Sequence, residues 1–175
     1  ALMRAATVQR HNQRTGDVSE IKLAEETENH IIIAKYLFSD WSTHLSEWDT
    51  IDVSPAWDDI DFGGDIAPRD TAQESAWRSF SLADFGVLNL ACGKGKTVLA
   101  LKKISQLRHP AIVIVNNAAL MNQWRERALQ FLDIDDSDIG IVQREKAEWD
   151  KPLVLAMIHT LANRASQIPI EIRQR

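Results

Sequence analysis

A short glycine-rich turn is the part of this sequence best suited to bind an anion. It runs from Ala91 to Thr97 as Ala-Cys-Gly-Lys-Gly-Lys-Thr, between an apolar stretch and a segment of helical periodicity. Its glycines let consecutive backbone N–H groups point at one phosphate chain, and the following helix adds the positive end of its dipole. We therefore predict a phosphate loop whose ligand-binding residues are Cys92, Gly93, Lys94, Gly95, Lys96 and Thr97.

The end of this turn has the chemistry to hold a nucleoside triphosphate and its metal. Lys96 can reach the β- and γ-phosphates as a point charge, and the Thr97 hydroxyl can ligate the Mg²⁺ that bridges them. ATP and Mg are thus the expected cofactors, with Lys96 and Thr97 as catalytic residues and Thr97 as the Mg ligand. The alternative is a glycine turn with an incidental lysine, because the general pattern has glycine where this sequence has Leu90. Cys92 fits the loop as a small residue, and a redox role is its alternative.

Strands and helices alternate in the second half of the chain, around this turn. Such alternation is typical of a parallel sheet covered on both faces, so the predicted fold class is α/β. Periodicity predicts helices over 71–81, over 96–107 and around Leu120, Trp124, Ala128 and Phe131, and strands over 86–91, 111–115, 139–142 and 153–156.

The first part of the chain has a different character. Residues 5–10 and 18–23 suit two strands joined by a turn at Thr15-Gly16-Asp17, followed by a strand at 30–34 and a helix over 36–48 with an aromatic stripe. The stretch 52–70, rich in aspartate, glycine and proline, is the best linker candidate. We therefore expect a small β-rich (α+β) accessory unit over 1–66 and an α/β unit over 67–175.

Charge and composition narrow the class of protein. Residues 1–66 carry five Lys/Arg against thirteen Asp/Glu, whereas residues 67–175 carry fifteen against twelve, so a phosphate-binding surface is expected in the second unit. No apolar run is long enough for a membrane span and no signal peptide is evident, which predicts a cytoplasmic protein, or one of the host cytoplasm if viral. The single cysteine excludes an internal disulfide and a cysteine zinc cluster.

The phosphate loop and its surroundings resemble superfamily 2 helicases of the DEAD/DEAH type, especially the branch shared by restriction-enzyme motor subunits and phage or archaeal DNA helicases. The resemblance covers about residues 69 to 165. Nucleotide motifs in that family end Gly-x-Gly-Lys-Thr, usually without the first glycine, so Leu90 fits the family. The resemblance implies a partial RecA-like parallel sheet that binds ATP.

Upstream of the loop, Arg69 and Gln73 look like the family's adenine-reading element. A glutamine amide can both donate to and accept from the adenine edge. The family usually spaces the two residues by two others, whereas three stand between them here, which favours Gln73 over Arg69. An exposed helical glutamine is the alternative.

Downstream, two strand-to-helix turns resemble the family's nucleic-acid contacts. Asn116 and Asn117 stand where Pro-Thr is more usual, before a Leu-x-x-Gln-Trp sequence that contains Gln123. Thr160, in a Thr-Leu turn, looks like a phosphate contact farther along the strand. The resemblance thus implies DNA, or less readily RNA, as the partner at the carboxyl edge of the sheet. A simple helix cap at Asn116-Asn117 is the alternative.

The family hydrolyses ATP with an Asp-Glu pair at a strand end, which this sequence does not offer in that position. Asp58-Asp59 precedes the loop, and Asp135-Asp136 lies in a polar loop. The second RecA-like domain of the family is also missing. We therefore expect a truncated helicase or translocase that binds ATP without turning it over. The alternatives are a different P-loop ATPase subunit and a nucleotide-binding adaptor module without turnover.

Overall fold

The computed structural model describes residues 7–11, 14–22, 24–26, 28, 31–33, 59–164 and 168–169. The chain divides into two compact units, Ala1–Asp52 and Val53–Arg175. This division falls before the boundary predicted at residues 66 and 67. The helix predicted over 36–48, with its aromatic stripe, lies outside the described residues.

Two antiparallel strand pairs form the described part of the first unit. β1 (Thr7–His11) pairs with β2 (Val18–Lys22), as the hairpin pattern predicted. β3 (Ala24–Glu26) pairs with β4 (Ile31–Ile33), which confirms the strand predicted over 30–34. β3 was not predicted, because its sequence Ala-Glu-Glu has little strand propensity.

The second unit is built on a four-stranded sheet in the order β5-β8-β6-β7. β5 and β6 both run parallel to β8, whereas the short β7 adds an antiparallel edge. This mostly parallel sheet confirms the predicted α/β class. Its strands are β5 (Ala111–Val115), β6 (Ile139–Gln143), β7 (Lys146–Ala147) and β8 (Leu153–Met157), and its helices are α1 (Thr71–Leu82), α2 (Lys96–Leu107), α3 (Ala118–Phe131) and α4 (Ile158–Asn163).

Alternation along the strands divides the apolar side chains between the two faces of the sheet. Leu153 and Leu155 belong to the larger core, together with Leu101 of α2 and Met121 of α3. Val154 belongs to a smaller cluster on the other face, to which Trp149 and Leu161 contribute. Helices therefore cover both faces as predicted, but unequally.

Residues 59–66, here called the strap, belong to the core of the second unit, although the sequence predicted a linker over 52–70. Phe62 is completely buried and Ile66 is 4% exposed, and both belong to the larger core. The Asp133 amide donates to the Phe62 carbonyl at 2.7 Å, and the Ile60 amide donates to the Arg108 carbonyl at 2.8 Å. The aspartates and glycines of the strap face outward or allow close approach, while two apolar side chains four residues apart fix it to the core.

The strand predicted over residues 86–91 is not formed in the structure. In the described part of the chain this segment pairs with no strand, and Val87 is 94% exposed. An apolar sequence becomes a strand only where another strand accepts its backbone hydrogen bonds, and none of the described strands pairs with this segment. None of the described helices is both long and apolar enough to cross a membrane.

Candidate functional site: the phosphate loop and the carboxyl edge of the sheet

The phosphate loop, Ala91–Thr97, is a tight turn that opens directly into α2. The Lys94 amide donates to the Ala91 carbonyl at 3.2 Å, which closes the turn. Gly93 and Gly95 have φ angles of 75° and 77°. Both angles lie in the left-handed region that costs an L side chain free energy, so the loop needs glycine at these positions.

The N-terminus of α2 has no side-chain cap. Its N-cap residue is Gly95, which has no side chain to accept a hydrogen bond, so the first N–H groups of the helix have no side-chain cap among the described residues. The Lys96 ammonium lies beside this end and donates to the carbonyls of Leu90, at 2.8 Å, and Ala91, at 3.1 Å. Uncapped helix N–H groups and an exposed lysine together favour an anionic ligand.

Gln73 connects α1 to the phosphate loop. Its side-chain Nε2 donates to the Lys94 carbonyl at 2.9 Å, and its Oε1 accepts from the Arg69 amide at 2.8 Å. Gln73 is only 3% exposed, which excludes the alternative of an exposed helical glutamine. A Cβ at Gly95 would collide with Nε2, so the close approach of the two segments also requires glycine there.

Asp70 caps α1 and thereby positions Gln73. Its carboxylate accepts from the Gln73 amide at 2.9 Å. This backbone hydrogen bond, supported by the Arg69 guanidinium 3.4 Å away, holds the pKa of Asp70 below its ordinary value. The Arg69 side chain is 64% exposed, and it is the backbone of Arg69 that contacts Gln73. The sequence did not indicate this division of roles.

An open cavity of about 600 Å³ lies beside this end of α1. Its lining includes Arg69, Glu74 and Trp77 from the α1 region and Lys102 from α2. The Lys102 ammonium lies 5.1 Å from the centre of the Trp77 ring, as in a cation–π contact. The cavity therefore combines an aromatic ring with side chains of both charges, next to the segment predicted to read adenine.

The asparagines after β5 are arranged as a helix cap. The Asn117 side-chain Oδ1 accepts from the Leu120 amide at 2.8 Å, which supports the capping alternative for this residue. The Asn117 Nδ2 donates to the Asn116 Oδ1 at 2.9 Å. Both residues are exposed, as is Gln123 on α3. The Asn116 Nδ2 thus remains available as a donor at the carboxyl edge of the sheet.

Thr160 lies at the same edge, where its hydroxyl oxygen accepts from the Arg144 amide at 3.1 Å. Arg144 stands in the turn between β6 and β7, with a φ of 53°. The sequence analysis did not identify Arg144. A two-residue turn between Gln143 and Lys146 without glycine gives no sequence signal for a left-handed residue.

The structure thus brings the predicted residues into two groups. Arg69 and Gln73 join Cys92, Gly93, Lys94, Gly95, Lys96 and Thr97 around the phosphate loop. Asn116, Asn117 and Thr160 follow the carboxyl ends of the parallel strands β5 and β8.

The described residues hold no group of three or more His, Cys, Asp or Glu side chains that could hold a metal ion. Asp136, weighed as part of an acidic pair, is instead bound to the Arg125 guanidinium at 2.5 Å. That contact holds the pKa of Asp136 below its ordinary value. The Thr97 hydroxyl, at the end of the loop, is an oxygen donor of the type that Mg²⁺ prefers.

Comparison with known proteins shows which sequences this chain is similar to. A subunit of General transcription and DNA repair factor IIH, the helicase/translocase subunit XPB of Encephalitozoon cuniculi, is 30% identical over 66 residues, which cover 38% of this chain and 10% of that protein. The DNA 3'-5' translocase XPB2 of Sulfurisphaera tokodaii is 38% identical over 55 residues, covering 31% and 12%. The XPB subunit of Antonospora locustae is 27% identical over 109 residues, covering 54% and 16%.

The chain therefore spans only about a tenth to a sixth of the length of these relatives. A family model also matches this chain. The family described as "Type III restriction enzyme, res subunit" matches residues 66–174, more than half of the sequence. This match agrees with the resemblance to the motor subunits of restriction enzymes. The chain belongs to the type III restriction enzyme res subunit family of superfamily 2 helicase domains.

Proposed function

We propose that this chain is the ATP-binding part of a nucleic-acid-dependent helicase or translocase that acts on DNA. The observation that carries the proposal is the phosphate loop, which combines an uncapped helix N-terminus with Gly95 and Lys96. The Gln73 side chain supports this loop through its hydrogen bond to the Lys94 carbonyl. Relatives named as helicases or translocases support the same function. Such a protein would work inside the cell, where ATP and nucleic acid are present.

Binding of ATP would change the contacts of Lys96. In the structure its ammonium donates to two loop carbonyls, which stand in for phosphate oxygens as acceptors. A triphosphate in the loop would take over these hydrogen bonds and would also meet the free N–H groups of the first turn of α2. Thr97 would supply its hydroxyl to the Mg²⁺ that bridges the phosphates.

Nucleic acid would lie along the carboxyl edge of the sheet. Asn116 and Thr160 follow strands that are parallel neighbours, and polar groups at this edge are where open α/β sheets bind ligands. Asn117 would act indirectly, since its side-chain Oδ1 caps α3. Gln123 would contact the nucleic-acid backbone from the exposed side of that helix. These neutral donors suit phosphate contacts that are independent of base sequence.

The experiment that tests the proposal measures filter binding of single-stranded and duplex DNA across a salt series, with and without MgATP. We expect affinity that falls as salt rises, because phosphate contacts release counterions, and that changes when ATP is added. A nucleotide-binding adaptor would bind ATP and retain no DNA on the filter at any salt concentration. We also expect negligible phosphate release, because the sequence has no Asp-Glu pair to hold Mg²⁺ and orient water.

A further inference from the structure

Arg144 occupies a backbone conformation that arginine rarely adopts. Its φ is 53°, and it is the first of the two residues that connect Gln143 of β6 to Lys146 of β7. Glycine is the residue that fills such a position without strain. An exposed arginine in its place costs stability, and strain of this kind concentrates at functional sites.

Two contacts tie this turn to the region of α4. The Arg144 amide donates to the Thr160 hydroxyl oxygen at 3.1 Å. The Arg164 guanidinium pairs with the Glu145 carboxylate at 2.5 Å. The backbone of the turn is therefore fixed from the side of α4, although the turn itself is exposed.

The Arg144 guanidinium remains uncommitted among the described residues. Its neighbours are paired, Glu145 with Arg164 and Lys146 with Glu148 at 3.0 Å. Within the described ranges, no hydrogen bond or ion pair involves the Arg144 side chain, which is exposed. A fixed backbone thus presents a cation whose charge no carboxylate of the described chain neutralises.

This cation stands at the same edge as the predicted nucleic-acid contacts. Val142 of β6 pairs with Ala156 of β8, and Val115 of β5 pairs with Met157 of β8. The three parallel strands therefore end at the same edge of the sheet. Because β8 lies between β5 and β6, Asn116 and Arg144 lie on opposite sides of β8. With neighbouring strands about 4.8 Å apart, their backbones are on the order of 10 Å apart.

We propose that Arg144 binds a phosphate of the nucleic-acid backbone and that Thr160 is its positioning residue. The proposal rests on the proposed function and adds to it the cationic contact that Asn116 and Thr160 cannot provide. A guanidinium forms two parallel hydrogen bonds to one phosphate, which a neutral amide or hydroxyl does not. Thr160 acts through its hydroxyl oxygen, which orients the turn.

The test compares Arg144→Gly with Arg127→Ala in the 175-residue chain, using a labelled oligothymidylate in a salt series. Arg127 is a matched control because it is an exposed arginine bonded to Gln130 on α3, ten residues and about 15 Å along the helix from Asn117. We expect Arg144→Gly to weaken binding about fivefold and to reduce the salt slope by about one, with an unchanged or higher Tm.

Three further variants distinguish the effect of the Arg144 charge from that of the turn backbone. Arg144→Lys should keep the salt slope, and Thr160→Val should weaken binding where Thr160→Ser does not. The proposal is overturned if the wild-type chain binds the oligonucleotide and Arg144→Gly matches Arg127→Ala in affinity and slope. If the wild-type chain does not bind the oligonucleotide at any salt concentration, the proposed function itself fails.

Discussion

The strap and the segment before the phosphate loop are both irregular, yet they are held very differently. In the strap, Phe62 is completely buried, and the Gly63 carbonyl accepts a hydrogen bond from the Ser105 hydroxyl at 2.6 Å. By contrast, Val87 is 94% exposed and Phe85 is 55% exposed. An irregular segment is fixed by a few buried anchors and backbone hydrogen bonds, whereas apolar content alone fixes nothing.

The phosphate loop follows the exposed segment 86–91, but its contacts are with other elements. Gln73 holds the Lys94 carbonyl, and α2 holds the far end of the loop. The strap reaches the same elements, because the Lys102 ammonium of α2 donates to the Ile66 carbonyl. The site is therefore positioned by α1, α2 and the strap, and not by the sequence that leads into it.

Removing an anchor of the strap should give the largest loss of stability. Phe62→Ala leaves a cavity in the larger core, and we expect it to lower the free energy of unfolding by about 3–5 kcal/mol. Urea denaturation measures this value. The matched truncation Leu82→Ala, at a side chain that is 86% exposed, should change it by less than about 0.5 kcal/mol. Equal losses would show that the strap is not an anchored part of the core.

Two glycine substitutions in the phosphate loop sharpen the comparison. Gly93→Ala and Gly95→Ala each force a side chain into the left-handed region, at a cost of about 1–2 kcal/mol. Only Gly95→Ala also collides with Gln73 Nε2, whereas a Cβ at Gly93 meets open space. We expect Gly95→Ala to lower both Tm and ATP affinity more than Gly93→Ala does. The reverse order would mean that Gln73 does not brace the loop.

A substitution at Gln73 can distinguish its support of the phosphate loop from recognition of adenine. Gln73→Leu keeps the volume but leaves the Lys94 carbonyl and the Arg69 amide without their partner, which costs about 1–3 kcal/mol. We expect affinity for inorganic tripolyphosphate to fall together with affinity for ATP, as measured by calorimetry. If only ATP binding weakens, Gln73 reads the base and does not brace the loop.

Part of this arrangement could be predicted from sequence and part could not. Strong periodicity located α1, α2, β5 and β8, and the order of glycine, lysine and threonine located the phosphate loop. The linker prediction over 52–70 fails at the strap because two core residues, Phe62 and Ile66, stand among its aspartates and glycines. The strand predicted over 86–91 failed because pairing depends on a neighbouring strand, and the positive φ of Arg144 depends on the turn that Thr160 holds.

Acid should weaken the Asp70 cap that positions Gln73, and we expect this to be the smallest of the predicted effects. The pKa of Asp70 is lowered in the folded chain, so its contribution to stability is present above its unfolded pKa and is lost as pH falls through its folded pKa. Below about pH 4 we expect a decline in Tm that is shallower in Asp70→Asn, since asparagine also caps helices. Parallel Tm curves from pH 5 to pH 2.5 would contradict this role.

Binding of MgATP to the isolated chain, measured by titration calorimetry, tests the central claim most directly. The phosphate loop predicts a saturable signal for the wild-type chain and an affinity at least about tenfold lower for Lys96→Ala, which removes charged hydrogen bonds to the phosphates. Absence of binding to the folded wild-type chain, or equal affinity in Lys96→Ala, would contradict the assignment of this loop as a nucleotide site.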